Sequence, residues 1–199
     1  MKHIKLLLAL SLAVLMLNGF WSGKSDRELK REKKSENFQA RVQRMYKSKE
    51  ILKDLYVYAP EAQNMVAKSY GYATFTNIGV SLVFFSAEGG KGVAHNNHNG
   101  RNTFMNMGSA GLGLGLGGKE FSIIFLFESK KVYKRFVKSG WEANAQSDAA
   151  AKYKKKGGAL SAAITVAPGV RMYKITKNGL MLQASVLGTK YWKDSDLNK

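Results

Sequence analysis

Side chains that could do chemistry are sparse in this chain, and their spacing does not assemble an active site. His95 and His98 stand three apart among asparagines, with Glu88 the nearest acid. Metal ligation needs further donors held by a second shell, so the pair reads as part of a solvated loop and no metal is expected. Gly113, Gly115 and Gly118 spell G-x-G-x-x-G, and Gly118-Lys119 resembles the end of a phosphate loop. Both motifs work by presenting phosphate to the start of a helix. Here the apolar run Phe121–Phe127 follows, which reads as a strand, and Glu120 stands where Ser or Thr belongs. Nucleotide binding is not expected. There is no Cys and no G-x-S-x-G elbow to hold a serine nucleophile. No cofactor is implied, and the chain is read as a non-enzyme.

What the chain has in abundance is positive charge. Thirty-two Lys and Arg against 14 Asp and Glu give a formal charge of +18 over 199 residues. Such a surplus is a statement about partners, and the partners that fit are polyanions. The cations fall into three groups. Lys30, Arg31, Lys34, Arg41 and Arg44 lie on one side of a helical pattern; Lys152, Lys154, Lys155 and Lys156 surround Tyr153 ahead of Gly157-Gly158; Lys190 and Lys193 bracket Tyr191-Trp192. Each group has an ordinary reading as a solvated surface and a functional reading as a contact for phosphate head groups. For Lys190, Trp192 and Lys193 the functional reading is an interfacial anchor, since aromatic rings and flexible cations settle at head-group level.

The first residues favour lipid over nucleic acid. Lys2 and Lys5 precede an apolar run from Leu6 to Leu17, which Asn18-Gly19 ends. This is the layout of a secretory signal or an N-terminal anchor, and about 12 residues are too few to span roughly 30 Å of hydrocarbon as a helix. Residues 1–23 are read as that segment. Their removal takes two lysines and no acid, leaving a charge of +16. An exported cationic protein meets membrane surfaces rather than DNA, so nucleic acid is not an expected partner. The expected location is the periplasm or the membrane face of the cell envelope.

These groups need elements to position them. Between 24 and 58, Phe38, Val42, Met45, Ile51 or Leu52, and Leu55 recur at helical steps, with Ser25 or Asp26 able to cap the start. This is a basic amphipathic helix, either packed on the domain with its charges solvated or lying on an anionic membrane. Pro60 opens a short second helix to about Ser69, burying Ala62, Met65 and Val66. From Tyr72 the period becomes two. Ile78 to Phe84 reads as a strand, residues 89–102 as a polar Gly-rich stretch with an Asn99-Gly100 turn, and Phe104–Gly117 as one long strand. On that strand Gly111, Gly113, Gly115 and Gly117 form a stripe without side chains, against which a helix or an acyl chain could pack. Phe121–Phe127 is apolar on both faces and belongs in the middle of the layers. Residues 129–138 return to helical spacing, stopped by Gly140, and Ser147–Tyr153 reads as a weaker helix. The strand pattern Leu160–Val166, the Pro168-Gly169 turn, and a hairpin about Asn178-Gly179 close the chain. The predicted fold is α+β: a curved antiparallel sheet, open or partly closed into a barrel, with flanking helices and the N-terminal basic helix. No repeating βαβ unit supports a doubly wound sheet.

GYATFTNIG at 71–79, MNMGSAGLGLGLGGKEFSIIFLF at 105–127, FVKSGW at 136–141 and GLMLQASVLGTKYWKD at 179–194, in that order, resemble the SYLF domain family. The match covers about residues 60–194 and leaves the basic helix outside. The resemblance implies a lipid-binding module of mixed α and β structure, with anionic phospholipid as its ligand and exported bacterial members. Together with the charge, it makes the expected function non-enzymatic docking on anionic membrane through the Lys and Arg clusters. The alternative is a structural or assembly role in the cell envelope, acting through protein partners.

Overall fold

Alternation with a period of two carries most of the chain into antiparallel β-structure. The computed structural model describes residues 24–82, 85–111, 117–143, 163–176, 178–180 and 189–199. The chain divides into two compact units, the first ending at Gln39 and the second running Ala40–Lys199. The first holds the opening turns of helix α1 (Asp26–Tyr58). Ser25 caps it: Glu28 accepts hydrogen bonds from the Ser25 backbone N–H at 2.8 Å and its hydroxyl at 2.9 Å, and the Glu28 N–H points back to that hydroxyl. This reciprocal box satisfies donors that a helix start leaves orphaned.

Among its described residues the second unit contains the rest of α1, helices α2 (Ala62–Lys68) and α3 (Lys130–Ser139), and nine strands. These are β1 (Gly71–Leu82), β2 (Phe85–Asn96), β3 (Asn102–Gly111), β4 (Gly117–Phe127), β5 (Trp141–Ala143), β6 (Ile164–Ala167), β7 (Val170–Thr176), β8 (Gly179–Leu180) and β9 (Thr189–Lys193). They form one sheet in the order β5-β9-β3-β2-β1-β4-β7-β6, with β8 on β7. The fold is the expected α+β, a curled antiparallel sheet with flanking helices. Among the described residues the path stays open, with β5 and β6 at its two edges.

Both faces of the sheet are covered. One carries Phe75, Met105, Met107, Phe125, Phe127, Met172 and Tyr191, and α3 packs on it through Tyr133 and Phe136. Its aromatic rings interlock: Phe127 and Phe136 lie 4.8 Å apart, Phe75 and Tyr191 5.0 Å, Phe125 and Tyr191 5.2 Å. Offset and edge-on contacts of this kind add roughly 1 kcal/mol each to the burial itself. The other face carries Ile124, Leu126, Tyr173 and Ile175 beneath Ile51 and Leu55 of α1 and Ala62 and Val66 of α2. The buried hydroxyls of Thr74 and Ser48 bond at 2.7 Å, tying α1 to β1.

Two expectations need correction. Phe104–Gly117 is not one strand: Gly111 pairs with Ser86 on β2, whereas Gly117 pairs with Ser81 on β1, so β3 and β4 lie on opposite sides of the β1–β2 pair. Alternating glycines supply no cross-strand side chains, so the pattern does not hold the strand in one register. Residues 89–96 are not a polar loop but the second half of β2. Gly90 and Gly92 are required by bulk on the neighbouring strands: a Cβ on Gly92 would sit 2.3 Å from the Phe75 ring, and one on Gly90 would sit 2.6 Å from Met107. The turn itself falls at Asn99-Gly100 as expected, with Gly100 at φ +68°. The helix expected at Ser147–Tyr153 lies outside the described residues.

Gly92→Ala is therefore expected to cost about 2 kcal/mol or more, because the added methyl meets both the ring and the Thr74 carbonyl oxygen at 2.4 Å. Urea unfolding followed by circular dichroism measures it, and an unchanged midpoint would contradict the packing described.

Candidate functional site

The cations expected on one face of α1 have different fates. Lys30, Arg31 and Lys34 are exposed in the first unit. Arg44 is not available to a ligand. Its side chain is 9% exposed, its Nη2 pairs with the Asp194 carboxylate at 2.8 Å, and its Nη1 donates to the Met105 carbonyl at 3.0 Å. Arg41 donates through Nε to the Leu197 carbonyl at 2.8 Å and through Nη2 to the Lys199 carbonyl at 3.0 Å. Both arginines hold the C-terminal residues against the helix. The expectation that they face outward is corrected, since partly buried carbonyls and a carboxylate satisfy their planar donor forks better than exposure does.

The C-terminal residues are folded to receive them. Asp194 Oδ1 accepts from the backbone N–H groups of Asp196 and Leu197, and Asn198 bonds both backbone groups of Phe104, continuing the edge of β3. Burial raises the Asp194 pKa, but the Leu197 N–H and the Arg44 charge and hydrogen bond outweigh it and hold the carboxyl below its usual value.

With its arginine face engaged, α1 leaves an apolar stripe outward. Val42 and Met45 are 46% and 39% exposed, and Leu52 and Tyr56 continue the same spacing half-buried. Lys49 falls within the stripe and Lys53 beside it, both exposed, and they line a shallow groove with Leu52, Tyr56 and Val57. Tyr46 and Val57 widen the apolar surface. A helix in a globular protein ordinarily turns such residues inward.

The aromatic pair on β9 separates by strand alternation. Tyr191 is fully buried in the aromatic core, and Trp192 is 41% exposed with Lys190 on the face of the sheet that also carries α1. Lys193 is exposed at the end of the strand. Lys152, Lys154, Lys155, Lys156, Gly113 and Gly115 lie outside the described residues; Gly111 closes β3 and Gly117 opens β4.

The sequence reading missed the cations of α3. KKVYKRFVKS carries Lys130, Lys131, Lys134, Arg135 and Lys138 with no acid, all exposed over a buried Tyr133 and Phe136. The available signal was the spacing of these charges between the apolar pairs. Lys130 and Lys131 stand in the first turn, where the helix dipole disfavours cations by about 0.3–1 kcal/mol each. Helix stability therefore does not explain them. The expected histidine loop is also partly structured: His95 lies on β2, bonded through Nδ1 to Asn102 at 2.8 Å, and exposed His98 stacks on Tyr70 at 4.4 Å. No group of three or more potential metal ligands occurs among the described residues, nor is any helix there long and apolar enough to cross a membrane.

Comparison with known proteins finds 39% identity over 142 residues to Beta cell expansion factor A of Aeromonas veronii, covering 70% of this chain and 52% of that protein. The chain thus spans about half the length of this relative. No family model matches the chain.

Removing the Arg44 charge tests the C-terminal staple. Arg44→Met leaves Asp194 without its cation and is expected to cost about 3 kcal/mol. Because the folded pKa of Asp194 is depressed, the pair's contribution is complete above the unfolded value of about 4 and is lost as pH falls below it. Asp194→Asn should flatten the stability profile between about pH 5 and 2, measured by urea unfolding at each pH.

Proposed function

We propose that this chain is a non-enzymatic, exported protein of the SYLF type that docks on anionic lipid surfaces, with the second half of α1 as its principal contact. The observation that carries this reading is the exposed pair Val42 and Met45, continued along the helix by Leu52 and Tyr56, which are half-buried against the core, with Lys49 and Lys53 at its side. An apolar strip flanked by cations matches the boundary between acyl chains and phosphate, where burial and charge act together. Each Lys or Arg held near such a surface contributes about 1 kcal/mol. Trp192 and Lys190 lie on the same face of the sheet and would extend the contact to the head-group layer. Lys30, Arg31 and Lys34 add to the electrostatic attraction, and the Lys152–Lys156 cluster retains its reading as a phosphate contact. The apolar first segment supports delivery to the cell envelope. The resemblance of residues 60–194 to the SYLF family supports lipid as the ligand class. The name of the Aeromonas relative speaks to neither point.

The protein is expected to co-sediment with vesicles containing phosphatidylglycerol and to release as salt rises, since exposed charges are screened over about 8–10 Å. Lys49→Ala with Lys53→Ala should weaken binding by roughly 30-fold at low ionic strength. Val42→Asp with Met45→Asp should abolish it while leaving the circular dichroism spectrum unchanged. Equal binding to neutral phosphatidylcholine vesicles, or indifference to both double variants, would overturn the proposal.

A further inference from the structure

We infer that a cavity beneath α3 binds a free long-chain fatty acid, with the alkyl chain inside and the carboxylate between Lys131 and Arg135. The inference goes beyond membrane docking and does not rest on it, since the cavity lies on the opposite face of the sheet from α1. Its volume is about 280 Å³. It opens where α3 passes between the two edge regions of the curled sheet, the β5 side contributing Trp141 and the β6–β7 side Ala167 and Val170. Phe127 and Phe136, both buried, form its apolar wall. Small residues keep it open. Gly140 lines it at φ +69°, and a Cβ there would sit 2.2 Å from the Tyr191 carbonyl oxygen, so the chain passes too tightly for any side chain to fill this end.

The rim selects the head group. Lys131 and Arg135 stand one helical turn apart, both exposed, and neither forms an ion pair among the described residues. The nearby carboxylate that could neutralise them, Glu128, is paired with Arg171 at 3.0 Å. Two adjacent cations with no acid between them repel one another, and an anion placed between them removes that repulsion. A carboxylate can accept from the Arg135 fork and the Lys131 ammonium together. Size selects one chain: the volume lies just under the roughly 300–1,000 Å³ usual for small-molecule sites, which admits a single alkyl chain and not the pair of a phospholipid.

The test uses the full chain without vesicles, below the critical micelle concentration. Cis-parinaric acid, a fluorescent fatty acid, should bind saturably and be displaced by palmitate, but by hexadecanol, its neutral counterpart, at least about tenfold less well. Lys131→Glu with Arg135→Glu should weaken the probe by a similar factor. Ala167→Trp should abolish binding by filling the cavity, while leaving co-sedimentation with phosphatidylglycerol vesicles unchanged. Should Ala167→Trp fail to fold, Ala167→Leu provides a milder filling variant, expected to lower affinity at an unchanged dichroism spectrum. The absence of saturable binding, palmitate and hexadecanol of equal potency, or full affinity in the charge-reversed and folded filled variants would each overturn the inference. Loss of vesicle binding in the α1 variants leaves the probe's affinity as it is, so the two proposals fail separately.

Discussion

Everything in the second unit follows from β4 having no polar face along Phe121–Phe127. A half-buried strand alternates; this one places Phe121, Ile123, Phe125 and Phe127 on one side and Ile124 and Leu126 on the other. Its register then fixes what its neighbours must be, since Phe125 stands opposite Ala73 and Met172, and Ile124 opposite Thr74 and Tyr173. Two apolar faces demand two covers. The short α3 serves the aromatic side, and α1 with α2 serves the aliphatic side. The large side chains of Phe75 and Met107 fit only because Gly92 and Gly90 on β2 leave room for them. The same bulk that stabilises the core thus dictates where glycine stands.

Covering the aliphatic face with α1 decides how the charges of that helix are used. The stripe Ser48, Ile51 and Leu55 turns inward, which brings Arg44 and Arg41 against β3 and the C-terminal residues. A buried guanidinium must be paired, and Asp194 meets that need. Val42 and Met45, on the flank of the helix beside this seam, are then left to solvent. The exposed apolar residues are the geometric remainder of an arginine face spent on internal contacts, and the proposed membrane contact uses this remainder.

Much of the fold could be read from the amino-acid sequence where one local signal sufficed. The helix start at Ser25, one of the two cap candidates, Gly140 after α3, the Pro168-Gly169 turn and the Asn178-Gly179 hairpin stand where the residue types place them. Failures came where the deciding contact was remote. Gly89, Gly90 and Gly92 look like a loop until Phe75 and Met107 are known to lie across the latter two. The Gly111 and Gly117 ends of one alternating pattern turned out to pair with different partners. On α1 the apolar period marks a helix with one apolar face, either packed on the domain or facing a membrane. The helix carries two apolar stripes, and the one that is buried includes serine and arginine, because Thr74 and Asp194 await them on the sheet side.

Cations that serve stability find acids or carbonyls, as Arg41, Arg44 and Arg171 do. Those of α3 do not follow that rule: Lys130 and Lys131 oppose the helix dipole, and Lys131 and Arg135 stack their charges one turn apart. In a chain that already carries +18, each such placement adds to self-repulsion. Lys131 and Arg135 line the cavity beneath α3, and on the proposed reading an anionic ligand offsets their repulsion. Among the described residues of the second unit, the cations of α3 and those of α1 lie on opposite faces of the sheet, and on the proposed readings each set meets an anion of its own.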